Sequence, residues 1–522
     1  MNPATATAKL PLIRSTSAPR AGRAAEALIR LFFGGNAIIA VVVLVLITLF
    51  LFREGFGFFS ANLANLRVYR TAGLEYVDII REQADAHAML SRALSDVRVR
   101  EVRELTRAGR SLDEINVSLA SFDQFATTFS DAGTDLAGLV SDLGDQAVAL
   151  KEKVTIGETG GTESSESAEE GDESAPVVAT SIDALRATYP TYQQTSAAMA
   201  TALDGLLTQE SQLASSDARD ALSKVKAQTR KFLSAFPAQA LRLREWDPNK
   251  PVPWYRSTAS FLFDERWVTA SFWQDWYGIV PLLVGSVMVS MIALLLAVPF
   301  GVASAIYVSE VATKTEQRLI KPYIEFIAAI PSVVLGFFGI AVVGQAVRAA
   351  SESSMLAWVP FFPISERLNV FTAGSLLALM AIPTIFTLAE DALRNVPRAF
   401  KEASYALGAN RLQTIVRIIV PAALSGIVSA VLLGLGRVIG ETMVVLLCAG
   451  NRIAIPDFTQ GLGAFQPVHT MTGIIAQEMG EVVRGSIHYR ALFMVGLVLF
   501  ALTLLINLAA QKITTRYRMS IG

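Results

Sequence analysis

The sequence has one cysteine, Cys448, and three histidines, His87, His469 and His488, among 522 residues. A lone cysteine forms no disulfide within the chain, so no exported part of it rests on a disulfide framework. The histidines lie far apart and have no cysteine cluster beside them, which leaves nothing with the ligand spacing of a metal site. Charge is scarce too: 17% of residues are charged and the formal net charge is −1, without the basic excess of a nucleic-acid binder. No G-x-x-x-x-G-K-[ST] occurs, so ATP is not held here by a P-loop, and no nucleophile-elbow motif is present. These absences lead to the expectation of a non-enzyme with no cofactor and no metal.

What fills the space is apolar sequence, 52% of the chain. It is gathered in six stretches: Leu31–Phe52, Ile279–Tyr307, Phe326–Val347, Val370–Ala389, Ala422–Ala449 and Ala491–Ala510. A bilayer core of about 30 Å takes about 20 apolar helical residues, so each stretch reads as a membrane span. The first is too long for a signal-peptide core and has no clear small-residue cleavage site, and is expected to be retained. Basic residues gather in the amino-terminal tail, after the second and fourth spans, and after the sixth, which puts both termini in the cytoplasm. All six tryptophans then fall on the other side.

These spans set the domain boundaries. Residues 1–25 read as a disordered cytoplasmic tail, 26–53 as the first transmembrane helix, 276–512 as a membrane core and 513–522 as a second tail. Between the first two spans, residues 54–275 form a long exported region with helical patterning. Ser111 and Glu114 make a capping-box signature, and behind them Ile115, Leu119, Phe122, Phe129, Leu136 and Leu143 belong to one apolar seam, expected on a single long helix running to Leu150. Tyr69–Arg107 is a second helix-favouring segment, and Leu203 to Phe236 carries a third seam with Pro190 near its start. Together they predict a helical bundle. Residues 157–176 interrupt it with seven acids, no base and almost nothing apolar, which predicts a disordered loop.

Two places carry candidate chemistry. Inside the fifth span, Arg437 and Glu441 occur in G-L-G-R-V-I-G-E-T-M, and i,i+4 spacing puts them on one helix face. Charges inside a membrane are costly and mark pathways or buried pairs. Two readings stand: an ion pair that serves only structure, or an arginine fork offered to an oxyanion while Glu441 tunes it. Gly434, Gly436 and Gly440 around them allow close helix approach. The second place is the loop 397–421, P-R-A-F-K-E-A-S-Y-A-L-G-A-N-R-L-Q-T-I-V-R-I-I-V-P. Small residues at Ala403 and Ser404 suit a short helix pressed on a partner, and Gly408 permits a positive φ in the turn behind it. In the third span, Pro331 and Gly336 are expected to break or loosen the helix.

The spacing Glu402-Ala403-Ser404-x3-Gly408-x9-Ile418-x-Val420-Pro421 resembles the EAA loop of ABC-transporter permeases, with Ser404 for Ala and Val420 for Leu. Together with I-P-S-V-V-L-G in the third span, G-R-V-I-G-E-T-M and G-S-I-H-Y-R-A-L-F before the sixth span, it resembles the permease subunits of phosphate ABC importers, closer to the PstC-type than to the PstA-type. The resemblance covers the first span and residues 272–512; the long first exported region departs from the family pattern. It implies an all-α, six-helix type I ABC importer permease fold in a bacterial inner membrane, carrying an inserted periplasmic helical bundle. It also implies that Glu402, Ala403, Ser404 and Gly408 dock an ATPase and that Arg437 and Glu441 line the phosphate path. The implied partners are an ATP-binding subunit, a PstA-type second permease and a periplasmic phosphate-binding protein, with membrane lipid around them. The implied mechanism is alternating access, in which ATP-driven closure moves the coupling helices at 399–412. The alternatives are a permease for another oxyanion, sulfate or molybdate, and a membrane sensor with a periplasmic bundle.

Overall fold

The computed structural model describes residues 20–160, 180–208, 213–356, 358–359, 362–458 and 463–516. The expected acidic loop at 157–176 lies outside them from residue 161, and residues 157–160 still belong to a helix. Most of the expected tail, residues 1–19, and the last residues, 517–522, also lie outside them.

Helix α1, Arg20–Thr71, begins inside the expected tail and continues well past Phe52. Its 52 residues extend about 78 Å at 1.5 Å per residue, far more than a bilayer core. The apolar part, from Leu31 to Phe50, is exposed along its length, as a lipid-facing helix requires. Beyond it the same helix becomes a wall of the inserted domain, with Phe58, Leu66 and Tyr69 buried. Gly73, at φ 76°, then reverses the chain.

The insertion is the expected helical bundle. Helices α2 (Leu74–Arg107), α3 (Leu112–Asp131), α4 (Thr134–Gly160), α5 (180–187), α6 (Tyr189–Leu207), α7 (Ser216–Ser234) and α8 (Phe236–Arg244) share one apolar core. Helix α2 is its axis, packed on α3, α4 and α7. Its buried Tyr76, Ile80, Gln83, His87, Leu90 and Leu94 recur at three- and four-residue steps, the period of one helix face. The capping box at Ser111 and Glu114 forms.

The single long helix expected from Ile115 to Leu150 is two helices, broken at Ala132–Gly133. A side chain at Gly133 would collide with the His87 ring, so the chain passes there only without one. The apolar spacing stays in phase across the break because both halves face the same core, which is why periodicity alone runs them together. The third seam is likewise divided, among α6, α7 and the start of α8.

Helix α9 (Trp254–Phe263) and an antiparallel hairpin, β1 (Trp267–Val268) with β2 (Trp276–Tyr277), join the bundle to the membrane part. This hairpin is the only sheet among the described residues. Trp267 pairs with Tyr277, and a small core of Phe58, Phe261, Tyr277 and Leu282 ties α1 to the hairpin and the start of the second span.

Among the described residues six helices are long and apolar enough to cross a membrane, the number expected: Ile29–Thr71, Val280–Val311, Ser332–Ser351, Val370–Arg394, Arg411–Ile439 and Ile487–Ile513. Helix α10 (Val280–Ile306) ends in a π-helical turn, Tyr307–Val311. Helix α11 (Lys314–Ala329) is amphipathic and buries no residue within the chain. Pro331 does break the expected third span. Residues before proline leave the α region, and Ile330 is extended at ψ 124°. The span restarts as α12 (Ser332–Phe338), a π turn (Gly339–Val343) and α13 (Gly344–Ser351).

The fourth span, α14 (Val370–Arg394), is the most enclosed, packed on α10 along small residues. A Cβ at Gly374 would meet Ile292 at 2.7 Å, and one at Gly301 would meet Ile385 at 3.0 Å. After it come α15 (Arg398–Ala406), α16 (Arg411–Thr414), a π turn (Ile415–Ile419), α17 (Val420–Ile439), α18 (Met443–Cys448), α19 (Met471–Glu478) and α20 (Ile487–Arg516).

Candidate functional site

The loop between the fourth and fifth spans is a helix–turn–helix built by local rules. Gly408 sits at φ 82°, the left-handed position that ends α15, and Ala409 N–H donates to Ser404 O at 3.2 Å. Asn410 then opens α16 with a capping box closed by Gln413.

Ser404 is not on the partner-facing side as its size suggested. It is buried, and its hydroxyl lies 2.9 Å from Thr414 Oγ1, pinning α15 to α16. Glu402 and Ala403 are exposed. Around them Leu407 is 89% exposed and Leu412 69%, with Phe400 and Tyr405 also open, so this end of the molecule presents apolar surface that none of the described residues covers. Such a patch rimmed by Arg398, Glu402 and Arg417 has the make-up of a docking surface.

At the other candidate place the structure departs from the expected geometry. Helix α17 stops at Ile439, the backbone unwinds through Gly440, Glu441 and Thr442, and α18 starts at Met443. Arg437 and Glu441 are therefore not a same-face pair, and they form no ion pair. Arg437 is exposed, and its Nη1 donates to Thr384 Oγ1 at 3.1 Å. Glu441 Oε1 instead accepts from Met443 N at 3.3 Å, meeting one of the unsatisfied N–H groups that open α18. Thr472 Oγ1 donates to the Glu441 carbonyl at 2.8 Å and holds the unwound segment against α19.

Of the three glycines only Gly434 sits at a close helix contact, where a Cβ would meet Ile385 at 2.7 Å; Gly436 has Asn507 no nearer than 3.7 Å, and Gly440 meets only carbonyls of its own helix. Sequence reasoning missed Thr384 and Thr472. Neither belongs to a motif whose spacing marks it.

A guanidinium has five N–H donors, and one of those on Arg437 is engaged among the described residues. The rest suit bidentate contact with a planar or tetrahedral oxyanion. An uncompensated cation on an exposed face of a membrane span is stable beside water, an anion or another subunit, not lipid.

The root of the bundle has a cavity of about 330 Å³, with Tyr69, Arg70, Glu75, Arg256, Arg266 and Trp276 in its wall. Its charges answer each other. Arg70 forks onto Glu75, from 2.6 Å, and Arg266 pairs with Asp264 while lying 3.7 Å over the Trp276 ring. Beside it Asp78 accepts from Tyr69 Oη at 2.6 Å, Trp273 Nε1 at 3.0 Å and Arg81 Nη1 at 3.0 Å. Burial nevertheless raises the Asp78 pKa. This is a self-compensated joint between bundle and membrane part.

His87, in the bundle core, donates from Nε2 to Phe129 O at 2.9 Å and is pushed below its ordinary pKa by burial. His469 meets Gln477, and His488 pairs with Glu478 at 2.7 Å. No group of three metal-ligating side chains occurs among the described residues.

Residues 297–519 match the family described as binding-protein-dependent transport system inner membrane component. That range holds the 397–421 loop, Arg437 and Glu441, and leaves out the bundle. The probable ABC transporter permease protein YqgH of Bacillus subtilis is 34% identical over 244 residues, 47% of this chain and 74% of that protein. The phosphate transport system permease protein PstC of Pasteurella multocida is 31% identical over 50% of this chain and 82% of its own length. That of Haemophilus influenzae is 32% identical over 51% and 84%. Among solved structures, the MetNI methionine ABC transporter in an inward-facing conformation aligns with 46% of this chain and 94% of that one, at 20% identity and a TM-score of 0.33.

Proposed function

The chain belongs to the family of binding-protein-dependent transport system inner membrane components, and we propose that it is the PstC-type permease subunit of an ATP-driven phosphate importer. The observation that carries this is the likeness to PstC proteins over most of their length, in the part of the chain that holds Arg437 and the 397–421 loop.

The chain is a multi-pass inner-membrane transport subunit with no covalent chemistry of its own. Its termini lie in the cytoplasm and its bundle in the periplasm, in keeping with the placement of basic residues. The exposed Leu407, Leu412, Glu402 and Ala403 dock an ATP-binding subunit. Gly408 sets the turn, while Ser404 acts from inside by fixing α15 on α16. A second permease, of the PstA type, covers the exposed faces of α11 and α12 and closes the other half of the path. A periplasmic binding protein delivers phosphate from the opposite side.

Phosphate passes Arg437, whose fork Thr384 steadies from α14. Glu441 acts at one remove, holding the break between α17 and α18 that leaves Arg437 at the helix end. ATP-driven closure of the ATPase pair moves the loop, and the spans rock to expose the path alternately to each side.

The test is to solubilise the native complex under mild conditions and identify what copurifies. An ATP-binding subunit and a second permease are expected. A chain that comes out alone, or only with itself, contradicts the proposal.

A further inference from the structure

The chain leads from the 398–414 loop directly into α14 on one side and α17 on the other, so movement of the loop reaches those two spans through the backbone. It reaches α10 by a different route. At the end of α10 the π-helical turn Tyr307–Val311 closes with Ala312 N–H donating to Tyr307 O at 2.8 Å. π turns are rare and frequently found at functional sites, and the extra residue re-aims the side chains around it. The side chain it re-aims here is Glu310, only 8% exposed. Both its oxygens accept from Lys401 Nζ of α15, at 2.7 and 2.8 Å.

The second helix of the loop grips the same turn. Arg411 Nε donates to the Glu310 carbonyl at 3.0 Å, and Nη2 donates to the Val311 carbonyl at 3.3 Å. These carbonyls end a helix and have no following N–H to meet, so a cation there is favoured both as donor and by the helix dipole. Gln317 Nε2 completes the clasp on Val308 O at 2.9 Å. One short turn is thus held by one cation from each helix of the loop.

We propose that Glu310 is the positioning residue through which movement of the 398–414 loop is passed to the second span. The inference rests on the reading of that loop as the ATPase-docking element. Helix α10 lies on α14 with glycines at the contact, so a push on its end is carried along the α10–α14 layer. With the latch closed, α10, α14 and α17 move together. With it open, ATP hydrolysis still moves the loop but α10 lags, and the path opens less often per cycle.

The experiment uses the complete transporter in proteoliposomes, with labelled inorganic phosphate and ATP hydrolysis measured together. Glu310→Gln is expected to leave assembly and ATP hydrolysis in place and to lower phosphate imported per ATP by about five- to tenfold, the low end of ordinary coupling between sites. Lys401→Gln is expected to lower the ratio similarly, and the double variant no further than either single, because both remove one contact. Glu310→Asp, which keeps the charge and withdraws it by one methylene, is read the same way if the Gln variant does not assemble. A wild-type ratio in the Glu310 variant, or losses that multiply in the double variant, overturns the proposal. Failure of the docking reading has a separate signature: Gly408→Trp would then retain full ATPase stimulation.

Discussion

Replacing Arg437 with Leu separates a transport role from a structural one. Among the described residues the change removes one hydrogen bond, to Thr384 at 3.1 Å. A net hydrogen bond contributes about 0.5–1.5 kcal/mol, and exposure of Arg437 puts this one at the low end. The larger cost of breaking half of a buried ion pair, about 3–5 kcal/mol, does not apply, because Glu441 bonds to Met443 N instead. Assembly should therefore survive. A charge-assisted contact between Arg437 and the anion is worth about 1.5–3 kcal/mol, so its loss weakens phosphate engagement roughly 10- to 150-fold. Arg437→Lys should recover only part, since a point charge lacks the fork. Arg437→Leu/Glu441→Leu should be no better than Arg437→Leu alone. Initial rates of labelled phosphate uptake against phosphate concentration, in complexes matched for assembly, give these numbers. A double variant that transports like wild type refutes the anion contact.

The other predictions concern the loop and the bundle. Gly408→Trp puts a bulky residue at φ 82°, and should leave the chain in the membrane while abolishing stimulation of the ATPase partner, read as ATP hydrolysis by the copurified complex. A fragment from Asn62 to Arg242 should be strongly helical by circular dichroism, since it holds nearly all of the bundle core; mostly β structure would contradict the assignment. In that fragment burial holds the His87 pKa below the unfolded value of about 6.5, so the neutral ring's stabilising contribution is complete above that pH and is lost as pH falls towards the folded pKa. His87→Gln should flatten this dependence of the thermal midpoint, and an unchanged slope would place the titration elsewhere.

Much of this architecture is legible in the residues. The number of spans comes from apolar length alone, and the turn at Gly408 and the cap at Ser111 come from local backbone chemistry. What is not legible depends on neighbours distant in sequence. The break at Gly133 falls where His87, on another helix, leaves no room for a side chain. The Arg437–Glu441 spacing suggests one face, but the helix ends between them where the unwound segment is held by Thr472 from α19. Ser404 reads as a contact for a partner until Thr414 is found beside it. Glu310 has no motif around it at all; only the folded loop brings Lys401 and Arg411 to it.

The central claim is tested most directly by flux. The complex containing this chain, reconstituted with ATP on the side of the ATPase and the binding protein on the other, is expected to accumulate labelled phosphate only while ATP is hydrolysed. Unlabelled phosphate should compete, and equal excesses of sulfate or molybdate should not. Uptake of sulfate or molybdate in place of phosphate, or phosphate entry that continues without ATP, would contradict the account.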